Sequence, residues 1–160
     1  MKNPVIRFLV TEYRRFVIAE FLVLVTTQGA AIVVHDLGIT GLQSAGFDSL
    51  IALLSIGLFT VGPFALAFDA TKRHGLFIPG TRARAGSYLG ITLNALLGLA
   101  SVLFGFLQAG LRQHFLNEPQ ATTSTYLLLL LAGLIFAVWL GGCMGWVGNR
   151  VAILASKKGM

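Results

Sequence analysis

The chain has 160 residues, 56% of them hydrophobic and only 11% charged, and its mean hydropathy is +0.81. A soluble domain carries about 25% charged residues, so a water-soluble enzyme or binding domain is excluded and the chain belongs in a bilayer. A net charge of +6 and a pI near 10.1 would suggest nucleic acid in a soluble protein; here the placement of the charges argues against it.

The first predicted element covers residues 4–15. At about 100° per residue, Val5, Ile6, Leu9, Val10, Tyr13 and Phe16 fall on one side, and Arg7, Thr11, Glu12, Arg14 and Arg15 on the other, with Phe8 out of place. Pro4 suits a first helical turn. This pattern predicts an amphipathic helix lying in the membrane interface, either as an anchor or as an elbow that passes motion from a cytoplasmic partner to the first crossing.

Four apolar runs follow, at 16–35, 49–68, 87–110 and 126–148, each near the roughly 20 residues that a membrane helix needs. Open strands would leave backbone groups unpaired in lipid, so the expected fold is an all-α integral membrane protein, a single transmembrane domain over 1–160. No soluble ATPase, kinase or nuclease domain fits beside the four runs. The first run imitates a signal peptide, but it is longer than such a core and carries Glu20 and Gln28, so it is read as a retained crossing. With four crossings, 11 of the 12 Lys and Arg residues fall on one side and only Arg112 on the other. The positive-inside rule makes that side cytoplasmic, both termini included, in a cell-membrane protein. The basic pI is then a topology signal, and no nucleic-acid partner is expected.

Glu20 lies about one turn into the first crossing, with Thr27 on nearly the same face. Ionisable groups inside a membrane are costly; this one either couples a proton or cation to transport or snorkels back toward Arg14 or Arg15. Pro63, after Gly62, predicts a bend in the second crossing.

The connection at 69–86 reads DATKRHGLFIPGTRARAG. Pro79 and Gly80 can reverse the chain and Thr81 can cap the next helix. Leu76, Phe77 and Ile78 are large apolar residues rimmed by charge, which suits docking to a partner or dipping into the lipid interface. In the third run Gly86, Gly90, Asn94 and Gly98 recur every four residues, and the fourth carries Gly141, Gly145 and Gly148. Such stripes let helices approach closely, with Asn94 bonding across the contact; the neighbour can be in this chain or in another subunit. The single Cys143 excludes an internal disulfide and reads as a buried, inert thiol.

The EYRRF segment, the first crossing, and a basic connection ending GTRARAGSYLG together resemble the permease subunits of type 2 ATP-binding-cassette transporters, over residues 5 to about 110. In that family the connection between the second and third crossings forms a coupling helix that inserts into the nucleotide-binding subunit. The matching positions are Gly80, Arg82, Arg84 and Tyr88. The family usually has six crossings, so a four-crossing form implies a second membrane subunit.

Catalytic and nucleotide-binding motifs are missing, and His35, His74 and His114 have no ligand partner at metal-binding spacing. The expected function is therefore non-enzymatic, with no cofactor and no metal: the permease subunit of an exporter, driven by a separate cytoplasmic ABC ATPase that docks at Leu76, Phe77, Ile78, Arg82, Arg84 and Tyr88. The alternatives are a small ion-coupled multidrug-type exporter using Glu20, and an accessory or immunity protein of the membrane.

Overall fold

The computed structural model describes residues 7–35, 45–73, 85–116 and 123–158. Within them the chain is entirely helical. A π-helical turn at Leu9–Tyr13 leads into α1 (Arg14–His35), followed by α2 (Ala45–Lys72), α3 (Ala85–Leu116) and α4 (Thr123–Lys158). All four helices are long and apolar enough to cross a membrane, at Val10–Val34, Ser49–Lys72, Ala85–Leu111 and Thr125–Lys157. Large apolar side chains such as Leu53, Leu103, Leu128 and Ile135 stand on the outside, where only lipid can cover them favourably.

The bundle runs up and down, so that the start of α1 and the ends of α2 and α4 share one end. That end carries Arg14, Arg15, Lys72, Arg73, Arg150 and Lys157; it is called the basic end below. Here the helices run past the apolar limits predicted from sequence, α2 as far as Lys72 and α4 as far as Lys158. The extra turns are held by packing: Ala70, Thr71, Asn149 and Ala152 are all buried. Unpaired hydroxyls inside a membrane would be costly, and Thr26, Thr27, Thr60 and Thr71 each donate their hydroxyl to the carbonyl four residues back.

The segment before the first crossing departs from the expected interfacial helix at 4–15. Residues 4–6 lie outside the described residues, but from Arg7 onward the backbone stays helical through the π turn and into α1 without a break. Phe8, the residue out of phase with an α-helical apolar face, is the buried one at 2% exposure, whereas Val10 is 50% exposed. The π turn explains this inversion. Its hydrogen bonds span five residues, which brings Phe8 and Tyr13 onto one face, and both pack on the core with Leu24, Leu66 and Leu89. Tyr13 also donates its hydroxyl to Thr92 of α3 at 3.0 Å. The segment thus continues into α1 and is tied to α3.

Candidate functional site

The middle of the bundle is organised by Pro63, which is fully buried. A proline in a helix has no N–H for the carbonyl four residues back, here Phe59. In lipid that carbonyl needs another donor, and α3 supplies it: Nδ2 of Asn94 donates to the Phe59 oxygen at 2.9 Å and to the Ala137 oxygen of α4 at 2.8 Å. One fully buried amide therefore joins three helices and closes the gap that Pro63 opens. Its Oδ1 is buried without a partner among the described residues.

Glycine lets the helices come this close. A Cβ on Gly90 would strike the carbonyl of Gly141 and would lie 3.2 Å from the Pro63 Cβ; one on Gly86 would lie 2.5 Å from the Gly145 carbonyl oxygen. Farther along α3, a Cβ on Gly98 would lie 2.6 Å from Leu134 Cδ1, and one on Gly105 would lie 2.9 Å from Leu130 Cδ2. Successive contacts from Gly86 to Gly105 along α3 meet α4 from Gly145 back to Leu130, so the two helices are antiparallel. Gly148 instead faces α2, where its Cβ position meets the Phe64 carbonyl. These glycines, with Asn94, meet neighbours within this chain. Tyr126 fastens the far end of the pair by donating to the Gly105 carbonyl at 2.8 Å.

Toward that far end a cavity of about 570 Å³ opens between the four helices. α1 contributes Gln28 to its wall, and α2 contributes Ser55, Ile56 and Phe59. The opposite wall is Gly98, Ser101 and Val102 of α3 with α4 from Leu129 to Leu140, including Gly133, which has no other atom within 4 Å of its Cβ position. The lining is mostly apolar. Its polar groups are one amide and two hydroxyls, and the Ser101 Oγ is buried with no hydrogen-bond partner among the described residues. Asn94 bonds the carbonyls of two lining residues, Phe59 and Ala137, and so ties the two walls together beside the cavity. A large apolar cavity with a few convergent polar groups is the usual form of a small-molecule site.

Glu20 lies against α2. Its Oε1 lies 3.0 Å from the Cβ position of Gly62, at the seam between α1 and α2, while Arg15 sits 3.8 Å from Glu12. Gly62 leaves room for a carboxylate one residue before the proline. Thr27, on the same face of α1, has its hydroxyl on the Val23 carbonyl. Glu20 is not part of the cavity wall.

Of the predicted docking residues, Leu76, Phe77, Ile78, Arg82 and Arg84, with Gly80 and His74, lie outside the described residues. Tyr88 is described and is 62% exposed on α3. Nearby at the basic end, Lys72 stands 5.4 Å over the Phe68 ring and Arg150 5.3 Å over Trp146, and Arg73 pairs with Asp69 at 2.9 Å. Cys143 is half-buried and lines a groove between α3 and α4 with Trp139 and Trp146, in place of the fully buried position expected for it. Among the described residues, no three His, Cys, Asp or Glu side chains gather into a metal site.

The sequence reading missed Ser55 and Ser101, and the use Asn94 makes of the Phe59 carbonyl. It also missed Asn149, which is fully buried against Gly86 with neither amide atom partnered among the described residues. No protein-family model, curated protein or solved structure matches this chain.

Proposed function

We propose that this chain is the membrane subunit of a transporter, and that the cavity between its four helices receives a hydrophobic or amphipathic molecule from the bilayer. The observation that carries this reading is the cavity itself: about 570 Å³, with lining residues from all four helices, beside the Asn94 bonds to Phe59 and Ala137. A molecule lodged there would sense any change in how α2 and α4 meet at Phe64 and Gly148. In this reading a separate cytoplasmic ABC ATPase drives that change. It would dock at the basic end on the 74–84 connection and Tyr88, with a second membrane subunit completing the assembly in the cell membrane. The run of Leu76, Phe77 and Ile78 between basic residues supports docking there. Purification in mild detergent, followed by identification of bound subunits, tests the docking. Phe77→Asp and Arg82→Glu are expected to lose a co-purifying ATPase, and retention of the ATPase by both variants would refute it.

A second reading rests on Glu20. A carboxylate placed against Gly62, within the bundle, suits a small ion-coupled exporter that needs no ATPase. Under that reading the purified chain in proteoliposomes moves substrate on a pH gradient alone, and Glu20→Gln abolishes the movement.

A further inference from the structure

The chemistry of the cavity wall narrows what it can hold. We propose that the cavity selects uncharged amphiphiles, molecules with a long apolar body and a neutral hydroxyl or amide end, and rejects both carboxylate and ammonium analogues of the same shape. This proposal rests on the reading of the cavity as a ligand site. Three helices bring Gln28, Ser55 and Ser101 to an otherwise apolar wall, and among the described residues no charged side chain lines it. Glu20 lies against Gly62 and is not part of the wall.

Two physical terms follow. An ion entering this wall would lose its hydration and find no countercharge, which in a low-dielectric site is strongly unfavourable. A neutral hydroxyl or amide loses far less and gains a hydrogen bond once the Ser101 hydroxyl, buried without a partner among the described residues, rotates about χ1 toward the cavity that the residue lines. That hydroxyl can both donate and accept, so it serves an alcohol or an amide equally. Nothing in the packing needs Ser101 to be a serine: the hydroxyl bonds no described residue.

The test uses the full chain in phosphatidylcholine nanodiscs and three photoreactive probes with one alkyl-diazirine tail, ending in an alcohol, a carboxylate or a trimethylammonium group. At equal membrane concentration the alcohol should label the peptides containing Val102 and Leu130 more than about tenfold over either ion, because burying an unpaired ion costs several kcal/mol and tenfold needs only about 1.4. Ser101→Ala should lower labelling by the alcohol about fivefold, one hydrogen bond's worth, and Ser101→Thr should keep most of it. Gly133→Leu fills the cavity from a position with free space around it, so it should fold and lose the labelling altogether. Equal labelling by all three probes that Gly133→Leu removes would overturn the selectivity while leaving a ligand site. Labelling indifferent to Gly133→Leu would overturn the site and the selectivity together.

Discussion

The joint between Pro63 and Asn94 makes a quantitative prediction. Asn94→Ala removes two hydrogen bonds from one amide, to Phe59 and to Ala137. Interhelical bonds in membranes are worth about 0.6 kcal/mol on average and about 1.7 at most, so the bonds alone account for about 1–2 kcal/mol. The two carbonyls are then left in different states. Ala137 keeps its intrahelical partner, whereas Phe59 faces the missing N–H of Pro63 and is left bare, at a further cost of about 1–3 kcal/mol. The total expected loss is about 2–5 kcal/mol. Replacing Pro63 by Ala restores an N–H to Phe59 while keeping the Cβ that neighbours Gly90, so Pro63→Ala alone should change stability by within about 1 kcal/mol. In that background Asn94→Ala should cost only the bonds, giving a coupling of about 1–3 kcal/mol between the two sites, the cost of the bare carbonyl. The assay is reversible unfolding of the four proteins by SDS titration from mild detergent, read by the fluorescence of Trp139 and Trp146 on α4. Additivity to within about 0.5 kcal/mol would refute the joint.

Gly90→Ala should destabilise by about 1–3 kcal/mol because its Cβ strikes the Gly141 carbonyl, whereas Gly133→Ala, with nothing near, should be neutral or slightly stabilising; equal midpoints in the same titration would contradict the glycine contact. Phe8→Ala should cost about 3 kcal/mol and Val10→Ala less than about 1, reversing the order that an α-helical face would predict; a larger effect at Val10 would refute the π-turn phase. Gly62→Ala places a Cβ 3.0 Å from Glu20 Oε1, and since a flexible side chain can swing away, the cost should stay under about 1 kcal/mol, measured by thermal unfolding with Gly90→Ala as the comparison.

Some of this was open to reading from sequence and some was not, for physical reasons. Four crossings follow from run length alone, because lipid demands the same apolar span of every helix. The spacing of Gly86, Gly90, Asn94 and Gly98 announces a close contact, since small residues on one helical face have few other uses. It cannot say which glycine answers which, and the pairing of Gly90 with Gly141 needed the fold. The buried face of residues 7–13 was not legible because a periodic apolar face looks alike whether lipid or a neighbouring helix covers it. A π turn also shifts the phase without any residue that marks it. The cavity was hidden for a third reason: Gln28, Ser55 and Ser101 are far apart in the chain, and each is unremarkable alone.

The tight and open halves of the bundle have one origin. At the basic end α4 presents Gly141, Gly145 and Gly148, and two neighbours come to backbone contact with it, α3 on one face and α2, at Phe64, on the other. Toward the far end the same helix carries Leu127 to Leu131 and Leu134. Leucines of that size still fill the gap to α3, where Leu130 and Leu134 lie against Gly105 and Gly98. Nothing comparable closes the gap to α2, whose facing residues there are Ser55 and Ile56, and the cavity is the space left between them. Pro63 and Asn94 sit where closure gives way to opening. A rigid α2 would transmit a movement at the basic end directly into the cavity, but Pro63 removes one rung of its ladder, so α2 can bend there while Asn94 holds both of its neighbours. Any change in the angle of α2 at this point alters the width of the cavity first and the glycine contacts last, because those contacts are backbone against backbone and have no slack.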